Sequence, residues 1–331
     1  MPKFTALLLF KKTSFYHSSK ISNELYIFLT AISKLEEMTE RIKKIGTSIL
    51  KTGGFYKSNR FKGVVNAGNK RKIFFSLLPL TLKKRDEGNK NELRTVNFLK
   101  YKISGYRYRT IEFLINEIFV SNDYWFAADT DKPIIIDCGA NIGVSIMYFL
   151  NLYPNAEILG FEPNPFVFEL LKKNLSENNL HATLENCALC KQSCLIPFYI
   201  SDDYGTLTGS IINERGGENK IEIEGKQLSK FVSKYSKIDV IKIDTEGAEI
   251  EIIDDLFENN LLTVADNYLI EFHHNIKNVK TSLSDFLRKF EDSGFEYSIK
   301  TEYEMPGKFQ DVFLHFYKTK SPAHAGVITN G

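Results

Sequence analysis

Ile134-Ile135-Ile136-Asp137-Cys138-Gly139-Ala140-Asn141-Ile142-Gly143-Val144 sets a run of β-branched residues against a glycine turn. The run has the pattern of a short buried strand, and the Gly-x-Asn-x-Gly turn after it opens a helical stretch. The backbone can therefore turn tightly and approach a ligand closely. The next strand pattern ends in Gly160-Phe161-Glu162-Pro163-Asn164-Pro165, which puts Glu162 19 residues after Gly143. An acid at that distance is placed to accept hydrogen bonds from ribose hydroxyls. Asn164 as N-cap and Pro165 at the first helical position then start the next helix.

Two nucleosides compete for such a loop. A dinucleotide would set its pyrophosphate against the first helix N-terminus, where the Asp137 carboxylate would repel it. S-adenosylmethionine has no phosphate and carries an ammonium and a sulfonium, both of which favour a nearby carboxylate. Asp137 thus points to a methyl donor. In the alternative, Asp137 only caps the turn and Glu162 ends its strand in solvent.

Outward from this unit, short apolar runs alternate with helical spacing. Ile134–Cys138, Glu157–Phe161, Ile238–Ile243, Tyr268–Phe272 and Val312–Tyr317 read as strands, and 142–153, 165–178, 248–258 and 281–292 as helices. Repeated strand–helix alternation predicts an α/β fold, doubly wound around a mostly parallel sheet, with ligands bound at the carboxyl ends of the strands. Those ends carry acids. Asp244, Glu246 and Glu249 follow one strand, and Glu271, His273 and His274 close the next. An unperturbed imidazole titrates near neutrality, so His273 or His274 is the expected general base, and strand alternation lets only one of them face the cleft. Glu246 and Glu249 would otherwise only complement a helix dipole. A divalent ion held by Asp244, Glu246 and Glu271 ranks below the metal-free base. A hydroxyl-rich segment, Tyr199 to Ser210, either lines the acceptor pocket or forms a surface hairpin.

With 331 residues, 43% hydrophobic and 25% charged, the chain is not collagen, simple disorder or a small disulfide scaffold. Its net charge of +2 conceals an asymmetry: basic residues number 24 against 7 acids over residues 1–110, and 19 against 34 thereafter. The basic part shows helical spacing over 21–50 and a polar stretch at Lys83 to Lys90. We therefore expect a basic, partly helical N-terminal extension over 1–90, a catalytic domain over 91–320 and a flexible tail over 321–331. Charge pairing with the acidic part is the simplest use of the basic extension. An anionic membrane or glycolipid surface comes next and nucleic acid last.

Cys138, Cys187, Cys190 and Cys194 form no disulfide framework, and His181 would complete a zinc site only by reaching back along one strand. The apolar run Phe4 to Phe10 has its positive charges after it, unlike a secretory signal, and Ile73 to Leu82 is about half the length of a membrane span. A cytoplasmic protein, soluble or peripheral to a membrane, is expected.

Asp137-Cys138-Gly139-Ala140-Asn141-Ile142-Gly143, Phe161-Glu162-Pro163-Asn164-Pro165, Asn186-Cys187-Ala188-Leu189, Lys242-Ile243-Asp244-Thr245-Glu246-Gly247-Ala248-Glu249, Glu271-Phe272-His273 and Asp311-Val312-Phe313-Leu314 together resemble the FkbM-type family of class I S-adenosylmethionine-dependent methyltransferases. The resemblance spans about residues 105–318, and the three clustered cysteines lie outside its pattern. It implies a Rossmann-like methyltransferase sheet and S-adenosylmethionine as cofactor. The glycine turn would hold the methionine part, Glu162 the ribose, Glu185 to Ala188 the adenine edge, and Asp244 would face both methyl group and acceptor.

The expected cofactor contacts are thus Asp137, Gly139, Asn141, Gly143, Glu162, Asn186 and Asp244, and the expected catalytic residues Asp244, Glu246 and His273, with no metal. The expected reaction is in-line O-methylation of a hydroxyl on a glycan or small hydroxylated metabolite. N-methylation of a protein or natural product, a non-catalytic nucleoside-binding module and a nicotinamide oxidoreductase are the alternatives.

Overall fold

The computed structural model describes residues 92–202, 209–277, 279, 282–301 and 305–319, with Thr30, Ser33, Glu36, Met38, Thr39, Lys72, Ile73, 75–77, Pro79 and Leu80. The chain divides into two compact units, Met1–Lys57 and Ser58–Gly331. In the first unit the described residues are helical and exposed. The expected boundary near residue 90, the tail over 321–331 and the centre of the hydroxyl-rich segment lie outside the described residues.

The second unit opens, within its described residues, on helical positions at 72–80, where Ile73, Leu77 and Leu80 are buried. An antiparallel hairpin follows, β1 (Arg94–Phe98) with β2 (Tyr101–Gly105). Helix α1 (Tyr108–Ile115) comes next and widens into a π-helical turn, Asn116–Val120, where Ser121 N–H donates to the Asn116 carbonyl at 2.7 Å. The seven-stranded sheet then begins with β3 (Ile134–Cys138), α2 (Val144–Leu152), β4 (Glu157–Phe161), α3 (Pro165–Glu177) and β5 (Thr183–Glu185).

A three-stranded sheet is inserted next, from β6 (Ala188–Leu189), β7 (Cys194–Ile200) and β8 (Asn219–Lys226). After the short helix α4 (Ser229–Val232) the main sheet resumes with β9 (Ile238–Ile243), α5 (Glu249–Glu258), β10 (Ala265–His274), α6 (Leu283–Asp292), β11 (Phe295–Thr301) and β12 (Gln310–Lys318). Its order is β11-β12-β10-β9-β3-β4-β5. The five strands from β10 to β5 in that order run parallel, and β12 pairs antiparallel with both β10 and β11. This is the doubly wound α/β architecture expected from the strand–helix alternation, closed at one edge by an antiparallel hairpin.

The patterns explain the layers. Strands buried on both faces read as continuous apolar runs; β9 is buried at every position, Lys242 included. Helix α2 is buried from Val144 through Leu150 and so carries almost no polar face. Helix α3 starts as expected, with Asn164 Oδ1 accepting from Phe166 N–H at 3.0 Å and Pro165 at its first position. A clasp the sequence did not announce fixes the hairpin to the sheet. Asn174, fully buried on α3, donates to the carbonyls of Ser104 and Ile142 and accepts from Ser104 N–H.

From β3 the chain winds outward through β4 to β5, then returns to the other side of β3 at β9 and continues to β10. The order reverses between β3 and β9. That switch point opens a crevice at the carboxyl ends of the strands. The cysteines border the inserted sheet as free thiols, Cys187 and Cys190 buried and Cys194 exposed, with the Cys190 and Cys194 sulfurs both directed at the Gln192 carbonyl.

Candidate active site

A cavity of about 270 Å³ occupies the switch point. One side is built by the loop after β3 and the end of β4. Gly139 adopts φ +86°, and a Cβ there would lie 1.8 Å from the Asp244 carbonyl oxygen. Only glycine lets the loops after β3 and β9 pass this closely. The N–H groups of Gly139 and Ala140 both donate to the Phe161 carbonyl, which ties the turn to β4. Gly143, at φ +91°, caps α2, and a Cβ there would meet Leu171 on α3 at 2.7 Å. Its role is to let two helices pack, and it lies outside the cavity wall.

Glu162 is the chemical centre of this side. It is 6% exposed and lines the cavity. One carboxylate oxygen accepts from Asn141 N–H and the other from Asn164 N–H, both at 2.9 Å. Burial pushes its pKa up to about 7, against the lowering pull of those two amides and of Lys242. Each oxygen keeps a lone pair for a further donor. Asn186 lies behind it, donating through Nδ2 to the carbonyls of Glu162 and Pro163. Among the proposed cofactor contacts, Gly139, Asn141, Glu162 and Asp244 line the cavity, whereas Gly143 and Asn186 shape its walls from behind.

Asp137 departs from expectation. It is fully buried and stands away from the cavity wall, with Oδ2 accepting from the Ser145 hydroxyl at 2.5 Å and Oδ1 facing Lys242 Nζ at 3.2 Å. A carboxylate neutralised by a buried ammonium exerts little field on a ligand, so the argument that Asp137 selects against pyrophosphate fails in that form. The exclusion has a different origin. The amides that would cradle a phosphate are already used, Asn141 N–H by Glu162 and Ile142 N–H by the Asn141 side chain.

These observations fit S-adenosylmethionine. Glu162 would hold the ribose hydroxyls, the apolar wall of Phe161 and Cys187 to Leu189 the adenine, and Asp244 with the glycine turn the amino-acid part.

The other side is acidic. Lys242 is 2% exposed, and its Nζ donates to the Gly139 carbonyl at 2.7 Å and lies 3.5 Å from Asp244 Oδ2. Burial disfavours its charge, but Asp137 and Asp244 outweigh that, so it stays an ammonium. Tyr124 donates to Asp244 Oδ2 at 3.2 Å. Two residues on, Glu246 occupies a left-handed conformation at φ +57°. It pairs with Arg215 and lies 3.3 Å from His273 Nε2. Glu249 Oε1 gathers Thr245 N–H, the Thr245 hydroxyl, Gly247 N–H and His273 Nδ1, all within 3.1 Å.

His273, on β10, is the catalytic candidate that the geometry reassigns. It is 2% exposed and absent from the cavity wall. Burial opposes its charge, yet Glu249, then Glu246 and Asp244, push its pKa up to about 10. An imidazolium locked between carboxylates has no lone pair to take a proton at neutral pH. His273 is therefore a positioning residue for the loop after β9, not a base. His274 lies on the opposite strand face, its ring 6.1 Å from that of Phe272.

The remaining wall comes from residues that sequence reasoning missed. These are Glu117, Tyr124, Arg215 and Asp311, and Glu271, expected among the strand-end acids, lines the cavity with them. Phe113 and Phe166, 54% and 48% exposed, also belong to its lining. Two overlapping groups could hold a cation by donor spacing, Asp244, Glu246 and His273, and Glu271, His273 and Asp311. No helix among the described residues is long and apolar enough to cross a membrane.

Residues 137–297 match the model of the methyltransferase FkbM domain. The chain is 29% identical over 186 residues to methyltransferase sdnD of Sordaria araneosa, covering 46% of this chain and 72% of that protein. It is 28% identical over 137 residues to the 2-O-methyltransferase NoeI of Sinorhizobium fredii, covering 37% of this chain and 56% of that protein. Among solved structures, methyltransferase FkbM from Methylobacillus flagellatus aligns with a TM-score of 0.41 at 13% identity, covering 84% of this chain and 62% of that one.

Proposed function

Since the chain is an FkbM-type methyltransferase that uses S-adenosylmethionine, we propose that it methylates a hydroxyl of an uncharged glycan or small hydroxylated metabolite. The lining of the acceptor side carries this reading. Among the described residues, Glu117, Asp244, Glu246, Glu271 and Asp311 face the cavity against only Arg215, already paired with Glu246, and Lys242, already paired with Asp137. Carboxylates repel a phosphate or carboxylate acceptor and hydrogen-bond to hydroxyls. The exposed rings of Phe113 and Phe166 offer apolar faces to a sugar-like body. The similarity to a 2-O-methyltransferase supports the same acceptor chemistry.

The cofactor supplies an electrophilic methyl group on a sulfonium, and alignment does most of the catalysis of its transfer. Glu162 fixes the nucleoside end through hydrogen bonds. Asp244, held by Tyr124 and Lys242, orients the reacting end. Glu246, directed by Arg215 and by its left-handed backbone, borders the acceptor. We read residues 91–320 as the catalytic domain, and the basic residues before it as a peripheral attachment to an anionic lipid or glycolipid surface.

Calorimetry with S-adenosylmethionine and with NAD, on the wild type and on Glu162→Ala, tests the nucleoside site. Methionine-donor binding that weakens at least tenfold in the variant is expected. Labelled-methyl transfer to neutral oligosaccharides, sugar phosphates and amines tests the acceptor, with incorporation into the first group expected. Incorporation confined to phosphates or amines overturns the hydroxyl reading. Co-sedimentation of the full chain with phosphatidylserine vesicles but not phosphatidylcholine vesicles is expected of the basic region.

A further inference from the structure

Among the described residues, the two cations that line the cavity are used differently. Lys242 Nζ is surrounded by the Gly139 carbonyl, Asp137 and Asp244. Arg215 gives its ε N–H to Glu246, and its η nitrogens have no hydrogen-bond partner among the described residues. Its guanidinium lies over the Phe309 ring, 4.3 Å from the centroid. Stacking sets the plane of the fork, and the bond to Glu246 sets its rotation in that plane, so the remaining N–H groups point in fixed directions. The backbone that carries it is fixed as well. Fully buried Ser210 donates through Oγ to the Glu246 carbonyl at 2.6 Å and exchanges two backbone hydrogen bonds with Tyr199 on β7. The N–H groups of Arg215 and Gly216 both donate to the Ile212 carbonyl. A Cβ on Gly216 would lie 2.4 Å from that of Tyr199, so only glycine lets the chain leave Arg215 this close to β7.

We propose that Arg215 binds the acceptor directly and reads a pair of adjacent hydroxyls. Its η N–H groups donate to the oxygen next to the one that is methylated, and Glu246 borders the methylated one. This rests on the hydroxyl-acceptor reading above and narrows the substrate class to vicinal diols, such as those of a sugar ring.

Elementary chemistry assigns the two oxygens. A guanidinium only donates. Donation to the reacting oxygen would engage a lone pair needed for attack on the methyl carbon, so Arg215 serves on the neighbouring one. Glu246, held by the ε N–H of the same fork, presents an acceptor beside those donors. A donor and an acceptor side by side fit two adjacent hydroxyls, one accepting and the other donating, whereas an isolated hydroxyl fills only half of the arrangement. Because the fork is already immobile, little conformational freedom is lost when the acceptor binds. The carboxylates of Glu246, Glu271 and Asp311 line the same cavity and oppose an anion, so the guanidinium does not turn it into a phosphate site. Phe309 supports the stack from just before β12, with the His273 ring 6.1 Å from its own. The inserted sheet, the end of β10 and the start of β12 therefore meet around Arg215.

The test is labelled-methyl transfer by the full chain to neutral oligosaccharides, with the methylated carbon located by linkage analysis of the product. The label should sit on a ring carbon whose neighbour carries a free hydroxyl. Arg215→Ala should raise KM for the acceptor roughly tenfold or more, the effect of losing a hydrogen bond to a charged group, while S-adenosylmethionine affinity by calorimetry stays within about threefold. Arg215→Lys separates acceptor binding from support of Glu246, because an ammonium keeps the ion pair and loses the planar fork. It should raise KM as far as Arg215→Ala does. A wild-type KM in Arg215→Lys, or an unchanged KM in Arg215→Ala, overturns the proposal. So does label confined to primary hydroxyls with no hydroxyl on the adjacent carbon, a result that leaves the hydroxyl reading standing. Wild-type transfer to amines but to no hydroxyl sinks that reading and the role of Arg215 with it.

Discussion

The loops after β3 and after β9 lie against each other at the switch point, and each needs a left-handed backbone. They lean on different means, although Asn141 at φ +48° in the first and Gly247 at φ +118° in the second show that neither is pure. Gly139 and Gly143 take φ +86° and +91° without a Cβ to clash. Glu246 takes φ +57° with a full side chain, at a cost of about 1–2 kcal/mol. Its conformation is held by groups from four places in the sequence, Ser210, Arg215, Glu249 and His273. Close backbone approach dictates the first loop, and a charged side-chain network dictates the second. A loop of the first kind is written in neighbouring residues, and one of the second kind is not.

Removing the centre of the charged network should have the largest effect. Glu249→Ala leaves His273 and three donors without their shared acceptor, and breaking a buried pair of this kind costs about 3–5 kcal/mol. Urea unfolding between pH 4.5 and 6.5 measures it in full. Glu249 has a depressed pKa, so its contribution is present above its unfolded value of 4.5 and is lost as pH falls through the lower folded value. His273 has a raised one, so its contribution is complete below 6.5 and disappears as pH rises through about 10. The difference between wild type and variant should therefore be greatest between those limits. A difference that keeps growing above pH 10 would count against an imidazolium at position 273.

Gly139→Ala comes next. Its Cβ meets the Asp244 backbone, which cannot step aside, so about 2–4 kcal/mol and loss of S-adenosylmethionine binding are expected. Gly247→Ala is the matched control in the other loop. Its φ of +118° is also costly, but the nearest atom is the Ile212 Cδ1 methyl at 2.5 Å, the end of a flexible side chain. Equal binding losses in both variants would remove the distinction between the loops.

Glu162→Gln probes the nucleoside side with a smaller effect. The Glu162 pKa is raised by burial, so the folded state binds more protons than the unfolded state between 4.5 and about 7, and wild-type stability falls as pH rises across that window. The variant should lack this fall, by roughly 1–3 kcal/mol, while binding S-adenosylmethionine more weakly. Parallel stability curves for the two proteins would show that Glu162 is not strained by burial.

The same division explains what the sequence made legible. Strands β3, β4 and β9 are recognisable residue by residue, because each is a short, mostly apolar run of β-branched and large residues between turn signals. Strand β5 has three residues and no such run, and β11 is exposed at five of its seven positions. Glu162 is visible through its distance from the glycine turn. Glu117 is not, since nothing at position 117 announces that a π-helical turn will carry it to Asp244, far along the chain. The error over Asp137 had a readable cause. Lys242 is a lone cation within the otherwise apolar end of β9, and a buried lysine requires a carboxylate partner. His273 misled because a histidine at a strand end suggests a base, and only the packing reveals two carboxylates around it.

Glu246→Gly should change stability least and says most about the second loop. Glycine relieves the left-handed strain by about 1 kcal/mol, and loss of the partly exposed pair with Arg215 costs a similar amount. His273 keeps Glu249, so the buried part of the network survives. Stability within about 1 kcal/mol of wild type is expected by urea unfolding, together with reduced methyl transfer, because the Glu246 carboxylate no longer borders the acceptor. A loss above about 2 kcal/mol would mean that the Glu246 carboxylate holds the loop instead of being held by it, and the order of cause between the loop and its charges would have to be reversed.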